Sequence, residues 1–327
     1  MNHSNNNLKF NPHLLARNRH FQTIYSSLRK CEAPLMLAAS QEMILNVGDG
    51  VRLQGFYSPW PKGHSKGLAL LLHGWLGHAS STYNLAVGEH LYNRGYSIFR
   101  LNFRDHGGTH HLNPGFFRSD LLDEVVFATR YIAELETSRP FYIVGASLGG
   151  NFALRLAWRH TKKPIPNLAH NIAFNPPVNP YHATLALDTG PYIYLHYFRR
   201  KWRETFKNKH AAFPELYPDI SAVLAASNTM TMTEAFMSFS PYDTALDYLN
   251  SYAVTPEMMA ELQSSVTIIT AADDPVVPVE DFDALGSVSP YLNLSIQPYG
   301  GHVGFIDIFP YRHWINRTVS TILENKQ

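Results

Sequence analysis

The sequence has few cysteines, no long apolar run and almost no net charge. Its one cysteine, Cys31, excludes an intramolecular disulfide and any zinc or iron–sulfur site built from several cysteines. No run approaches the ~18 consecutive apolar residues that a helix needs to cross a bilayer. The 27 lysine and arginine residues nearly balance the 26 aspartate and glutamate residues, and the net charge of +1 provides no global attraction for nucleic acid. We therefore expect no nucleic-acid partner.

The composition is that of a folded protein with a sizeable core. Of the 327 residues, 45% are hydrophobic and 13% aromatic, and the charged fraction of 16% argues against disorder. Residues 1–7 are polar and lack the basic-then-apolar pattern of a secretory signal, which together with the single cysteine predicts a cytoplasmic protein. We expect one α/β domain over residues 1–327 with an N-terminal extension over residues 1–33. The residues leave the oligomeric state open.

Short β-rich runs alternate with longer helical patterns, which predicts a mostly parallel central sheet with helices on both faces. Residues 68–72, all Leu or Ala, have the length and character of a strand that is buried on both faces. The predicted strands are residues 51–58, 68–72, 96–101, 141–144, 172–174, 266–270 and 292–296. The predicted helices include residues 119–136, 151–160 and 306–323, the last weakened at its start by Pro310.

The alternation stops between about residues 177 and 256, where prolines and aromatics are frequent and strand patterns are absent. An insertion of this length with helical patterns of its own is more typical of a lid than of a structureless loop. Within it, residues 199–209 contain one acidic residue, Glu204, and six basic residues: Arg199, Arg200, Lys201, Arg203, Lys207 and Lys209. A solvated helix face is the favoured interpretation. The alternative is peripheral membrane contact, with anionic lipid headgroups attracted beside the apolar residues 192–198.

The first sign of chemistry is a serine between a strand pattern and a helix pattern. Residues 142–150 read Y-I-V-G-A-S-L-G-G, so that an apolar strand runs into G-x-S-x-G. The turn is so tight that the serine backbone is strained and the residues two before and two after it must be small, as Gly145 and Gly149 are. The hydroxyl of Ser147 would be exposed at the positive end of a helix, where it can attack a carbonyl carbon. Ser147 is therefore the candidate nucleophile.

A serine nucleophile needs a base to take its proton, and the base needs an acid that holds its tautomer. One late predicted strand is followed by Asp273 and Asp274, and the last predicted strand is followed by His302 in a glycine loop. We favour Asp274 as the acid, because Pro275 excludes the helical conformation there and fixes the residue in the turn. Asp273 is then a turn-capping or solvated residue, and the reverse assignment stays open.

Acyl transfer also requires two backbone N–H groups that bind the oxyanion. Leu148 follows the nucleophile and supplies one of them. The second is expected in residues 73–77, which read H-G-W-L-G after an early strand. We assign it to Trp75, with Leu76 as the less favoured donor, and we interpret His73 as a structural residue that holds this loop.

Together these segments resemble the α/β-hydrolases, and specifically the bacterial YheT-like proteins related to the eukaryotic ABHD-type hydrolases. The resemblance rests on residues 73–77 and 145–149, on Asp274 and His302, and on two further segments. Those segments are residues 17–24, R-N-R-H-F-Q-T-I, and residues 102–108, N-F-R-D-H-G-G. The resemblance covers nearly the whole chain and implies an α/β-hydrolase fold and a Ser–His–Asp esterase or lipase-like hydrolase.

We therefore expect a serine esterase that cleaves a small-molecule or lipid ester without a cofactor. An acyltransferase with the same triad and a catalytically silent ligand-binding protein are the alternatives. Asp105, His106, His110 and His111 suggest a metal site at first sight. However, their glycine-rich loop offers no helical i, i+4 pair, and the resemblance implies a mechanism without metal. Arg104 is expected to hold this loop by hydrogen bonds.

Overall fold

The computed structural model describes residues 9–325. Residues 1–8, and with them the polar start of the chain and part of the predicted extension, lie outside the described residues. The strands are β1 (Gln41–Asn46), β2 (Arg52–Ser58), β3 (Leu68–Leu72), β4 (Ser97–Leu101), β5 (Phe141–Ala146), β6 (Leu168–Phe174), β7 (Val266–Ala271), β8 (Leu292–Gln297), β9 (Ile306–Ile308) and β10 (Tyr311–His313). The α-helices are α1 (Arg19–Leu28), α2 (Pro34–Ala38), α3 (Thr82–Tyr92), α4 (Leu122–Ala133), α5 (Leu148–Lys162), α6 (Pro180–Thr189), α7 (Tyr192–Ala212), α8 (Ser221–Ala225), α9 (Thr229–Phe236), α10 (Ala245–Ser251), α11 (Pro256–Ala260) and α12 (Trp314–Glu324).

The central sheet has the order β1-β2-β4-β3-β5-β6-β7-β8. Strand β2 pairs antiparallel with β1 and with β4, and all later neighbours pair parallel. The predicted mostly parallel sheet is confirmed. Because parallel strands share the edge at which they end, the loops that follow β3 to β8 meet on one side of the molecule.

Helices cover both faces of the sheet. Along β3, Leu70 points to the layer that contains Phe152 of α5, whereas Leu71 points to the layer that contains Val87 of α3 and Val319 of α12. A strand covered on both sides has no polar face, which explains why the sequence of β3 is continuously apolar.

Strands β2 to β8 coincide with the seven predicted strands, with ends that differ by a few residues. Strand β1 was not predicted, because it lies at the sheet edge with one buried side chain, Leu45, and its apolar run is only three residues long, residues 43–45. The prediction of a helix over residues 306–323 was wrong at its start. Residues 306–313 form the β9–β10 hairpin, and α12 begins at Trp314. Pro310 has no N–H to donate and cannot lie inside a helix, so the helical part of the predicted segment is confined to residues after it.

The insertion between β6 and β7 folds as the six helices α6 to α11. Its longest helix, α7, is joined to the sheet side by the buried side chains of Trp202 and Phe206, which belong to the same apolar core as Phe152. Lys209, which the sequence placed on a solvated helix face, is fully buried and lies 2.6 Å from Asp105. That interpretation of the basic run was wrong for Lys209. Among residues 9–325, no helix combines the length and the apolar character that a bilayer span requires.

Candidate active site

Ser147 occupies the sharp turn between β5 and α5. Its backbone has φ +54° and ψ −122°, which is the strained conformation that the motif predicts for a nucleophile. The two glycines around it have no room for a side chain, because a Cβ on Gly145 would overlap the backbone of Gly149 and a Cβ on Gly149 would overlap that of Leu72. The Ser147 amide donates to the carbonyl oxygen of Phe174 at 2.8 Å, which anchors the turn to β6.

His302 lies within hydrogen-bond distance of both Ser147 and Asp274, the other two residues predicted to form a triad. His302 Nε2 is 2.9 Å from Ser147 Oγ, and His302 Nδ1 is 2.9 Å from Asp274 Oδ2. The side chain of Asp274 is fully buried and that of His302 is 11% exposed. A carboxylate can only accept, so Nδ1 carries the proton and Nε2 is left as the acceptor that faces the serine hydroxyl.

The turn after β7 gives the two neighbouring aspartates different partners. Asp274 Oδ1 accepts from the amides of Val276 and Val277 at 2.8 and 3.1 Å, and Oδ2 faces His302. Asp273 instead accepts the amide of Gly301 at 2.9 Å. Burial raises the pKa of Asp273, while the Gly301 amide opposes that rise. The structure therefore brings Asp274 to the imidazole, and Asp273 holds the loop that carries it.

The histidine loop is also held by the N-terminal helix α1. The His302 amide donates to Thr23 Oγ1 at 2.9 Å. The Gln22 side chain is fully buried and bonds both the amide and the carbonyl oxygen of Ile306, at 2.8 Å each. This contact explains why residues 17–24, which the sequence singled out only by resemblance, belong near the site.

Among the described residues, the backbone amides of residues 74–77, in the loop after β3, all have acceptors except that of Trp75. The Gly74 amide donates to Tyr83 Oη at 2.5 Å, the Leu76 amide to His106 Nε2 at 3.2 Å, and the Gly77 amide to the Gly74 carbonyl oxygen at 3.0 Å. Trp75 is the remaining member of this stretch, and no described residue accepts its amide hydrogen. Leu148 begins α5, so its amide has no acceptor within the helix. These positions support the Trp75 assignment over the Leu76 alternative.

Two residues that help to build the site were not assigned to it from the sequence, although His106 lies in residues 102–108, which carry the resemblance, and was weighed as a metal ligand. Asn175 follows β6 with φ +44°, and its Nδ2 donates to Asp274 Oδ2 at 2.7 Å and to the Gly301 carbonyl oxygen at 3.1 Å. His106 is buried, and burial lowers its pKa to about 4, so the neutral ring can accept the Leu76 amide. The sequence signal for Asn175 was a polar residue directly after a buried strand. For His106 the signal was its place in residues 102–108, but its role could not be predicted, because its partner Leu76 is 30 residues away.

Ser147 lies where two cavities meet. The inner cavity, of about 100 Å³, is enclosed by the insertion and lined mainly by apolar side chains, including Leu148, Leu187, Trp202, Phe236 and Val277. The outer chamber, of about 460 Å³, lies between α1, the Trp75 loop and α7, and His302 lines it. The ring of Trp75 stacks on Phe198 at 5.4 Å and meets Trp202 edge-on at 5.0 Å, so α7 contacts the Trp75 loop directly.

The loop that suggested a metal site has other contacts. Asp105 pairs with Lys209, and Arg104 pairs with Glu124 at 2.5 Å, as expected for a residue that holds its loop. His73, predicted to be structural, is buried, and its Nε2 accepts the amide of Phe103 at 3.2 Å. Over residues 9–325, no group of three or more His, Cys, Asp or Glu side chains is placed to hold a metal ion.

The remaining basic residues of α7 divide into two groups. Lys201 is half-buried and lines the outer chamber. A surface groove on the other side of the helix is lined by Tyr192, His196, Arg199, Arg200, Arg203, Glu204 and Lys207. Contact of this surface with anionic lipid stays a prediction.

Known proteins resemble this chain in sequence. Residues 69–307 match a family described as alpha/beta hydrolase fold. A Dictyostelium discoideum protein named "Abhydrolase domain-containing protein" is 23% identical over 333 residues, which cover 98% of this chain and 83% of that protein. An Escherichia coli protein named "Putative esterase YheT" is 25% identical over 270 residues, which cover 81% of this chain and 78% of that protein.

A solved structure shares the fold. The Pyrococcus furiosus esterase Pf2001 superposes with a TM-score of 0.57 at 15% identity, covering 88% of this chain and 92% of that chain. The predicted fold class and the predicted resemblance to YheT-like proteins are confirmed by these matches.

Proposed function

Because the chain belongs to the α/β-hydrolase family, we propose that it is a serine esterase that cleaves carboxylic esters through an acyl-enzyme intermediate. The observation that carries the proposal is the position of His302, with one ring nitrogen 2.9 Å from Ser147 Oγ and the other 2.9 Å from Asp274 Oδ2. This is the geometry that a general base needs both to take the serine proton and to keep the correct tautomer.

In the acylation step, Ser147 Oγ bonds to the ester carbonyl carbon while His302 Nε2 takes the hydroxyl proton. Asp274 stabilises the imidazolium, and the amides of Trp75 and Leu148 bind the negatively charged carbonyl oxygen. The bond from the carbonyl carbon to the alcohol oxygen then breaks, and His302 gives its proton to that oxygen. The free alcohol leaves, and the acyl group remains on Ser147.

In the deacylation step, a water molecule takes the place of the alcohol beside His302. Its oxygen bonds to the carbonyl carbon while His302 Nε2 takes its proton, and the acyl bond to Ser147 Oγ then breaks. The proton returns to the serine, and the carboxylic acid is released. Since every proton is carried by His302, this sequence of steps requires neither a metal nor an organic cofactor.

The two cavities support one orientation of the bound ester. His302 must protonate the leaving oxygen, so the alcohol part has to lie on the side that His302 faces, which is the outer chamber. The inner cavity is lined by Ser147 and Leu148 but not by His302, and its apolar surface suits the acyl chain. We therefore propose a substrate with an apolar acyl chain, in the small-molecule or lipid ester class.

A fluorophosphonate probe, which labels an activated serine, tests the proposal. We expect labelling of Ser147 in the wild type, no labelling of Ser147→Ala, and unchanged labelling of Ser27→Ala, a control at an exposed serine of the outer chamber. A 4-nitrophenyl ester series of increasing acyl length should be hydrolysed by the labelled forms alone. An inert Ser147 would instead favour a ligand-binding protein, and new esters formed from an added alcohol would identify an acyltransferase.

A further inference from the structure

The outer chamber presents a positively charged side chain and, among the residues the structure describes, no aspartate or glutamate. Lys201 lies one helical turn after Tyr197 and two turns after Ile193 on α7, and all three line this chamber with Ser147 and His302. A spacing of four residues puts side chains on one face of a helix, so the ammonium group is directed to the side on which the ester would bind.

Two other basic residues of α7 have partners for their side chains within the protein. Lys209 pairs with Asp105 at 2.6 Å, and Arg203 donates to the Ala226 carbonyl oxygen at 2.8 Å. Within residues 9–325, no carboxylate lies within the 4.0 Å that an ion pair with Lys201 requires. The Lys201 side chain is partly buried in the chamber wall, and an anionic ligand in the chamber would supply the charge-assisted hydrogen bond that its ammonium group lacks.

Two other titratable side chains that line the chamber, those of His78 and His313, add no positive charge. Burial, and then the nearby Lys201 charge, lower the pKa of His78. Burial lowers the pKa of His313 to about 4. Both rings are neutral at pH 7, so neither adds a positive charge that could substitute for Lys201. An anion in this chamber would therefore find its counter-charge at Lys201.

We propose that Lys201 is a specificity residue that selects esters whose alcohol part carries an anionic group, a carboxylate or a phosphate. The inference rests on the proposed esterase function, because that function places the alcohol in the outer chamber with Lys201. It deepens the function by naming the charge of the leaving group. The apolar inner cavity sets the acyl chain, and the lysine sets the polarity of the other half of the substrate.

The test compares esters that share an acyl chain and differ in the charge of the alcohol. The first pair is 4-carboxyphenyl butanoate and 4-carbamoylphenyl butanoate, and the second is 1-butanoylglycerol 3-phosphate and 1-butanoylglycerol. We expect the wild type to favour the charged member of at least one pair. Lys201→Met should lower kcat/KM for that member by about tenfold, chiefly through KM, with a smaller effect on its neutral partner. The pair in which the charged ester is preferred shows whether the alcohol part carries a carboxylate, as in a hydroxy acid, or a phosphate, as in a phosphorylated alcohol.

Two further variants control for structural effects. Lys201→Arg keeps the charge and should keep the preference, which shows that Lys201→Met acts through charge. Arg200→Met removes a charge from the exposed neighbouring position and should leave the preference unchanged. Equal kcat/KM for both members of each pair, or an equal loss for both in Lys201→Met, would overturn the inference about Lys201 and leave the esterase proposal standing. If the wild type hydrolyses none of the four esters and Ser147 is not labelled, the esterase proposal itself is wrong.

Discussion

Asn175 Nδ2 lies 2.7 Å from Asp274 Oδ2, the same oxygen that faces His302 Nδ1. The amide nitrogen also donates to the carbonyl oxygen of Gly301, the residue before the histidine, at 3.1 Å. One side chain from the end of β6 thus ties the acid after β7 to the loop after β8. The proposed acid and base are therefore held in position relative to each other by a residue that takes no part in proton transfer.

Asn175→Ala should lower kcat by about tenfold and leave KM nearly unchanged, because it removes a hydrogen bond to a buried carboxylate but no group that contacts substrate. Steady-state kinetics on a 4-nitrophenyl ester would measure both constants. Asn167→Ala is the matched control, since Asn167 also has positive φ, at +54°, but is exposed at the start of β6. A fall in kcat that is equal in the two variants would mean that backbone strain, and not the Asp274 contact, is responsible.

Substitution of the two neighbouring aspartates should have unequal effects on turnover. Asp274→Asn should lower kcat by a factor on the order of 10⁴, because the amide no longer holds the proper histidine tautomer. Asp273→Asn keeps an oxygen that can accept the Gly301 amide, so its kcat should stay within about threefold of the wild type. Parallel kinetics and fluorophosphonate labelling of the two variants provide the comparison. The opposite order of losses would assign the acid to Asp273.

The buried Asp105–Lys209 pair should be a major support of α7. Burial raises the pKa of Asp105 to about 6 against the opposing charge of Lys209, which shows how costly the carboxylate would be without its partner. Lys209→Met should therefore reduce the free energy of unfolding by about 3–5 kcal/mol. The double variant Asp105→Asn, Lys209→Met should lose less than the sum of the single variants, because neither charge remains buried alone.

Urea unfolding of the two single variants and the double variant measures this coupling. Lys207→Met removes a basic residue from an exposed position of the same helix and should stay within about 0.5 kcal/mol of the wild type. Strictly additive losses would show that the pair contributes no interaction energy.

The buried His106 should make stability fall in acid. Its pKa is lowered from 6.5 to about 4, mainly by burial, so between these values the unfolded chain binds a proton that the folded chain does not. This contribution to stability is complete above about pH 6.5 and is lost as pH falls toward 4. His106→Gln should reduce the slope of unfolding free energy against pH by at most about 1.4 kcal/mol per pH unit.

Unfolding in urea at pH 7 and at pH 5 gives the slope for each variant. His64→Gln, at an exposed histidine, should keep the wild-type slope. Part of the slope should remain in His106→Gln, because burial also lowers the pKa of His90 and of His313 to about 4. A slope that is the same in both variants would show that His106 is protonated in the folded protein.

Prediction from the sequence succeeded where the determinant is local. Ser147 could be identified because the strand, the tight turn and the helix are contiguous, and the two glycines that the turn requires flank it directly. The buried strands could be identified because burial on both faces leaves an apolar run. The β9–β10 hairpin could not be identified, since the apolar pattern at residues 306–308 fits a helix equally well unless Pro310 is taken to exclude one.

The order of the proposed nucleophile, acid and base along the chain, each directly after a strand, could therefore be predicted from the sequence itself. Only the tertiary structure decided that Asp274 faces the imidazole, that Asn175 and His106 hold the site, and that Lys209 is buried while Lys201 lines the chamber. Each of these depends on a partner far away in the chain, such as Asp105 for Lys209. A side chain's own sequence neighbours set its backbone conformation, but its charge state and hydrogen bonds depend on groups that folding brings to it.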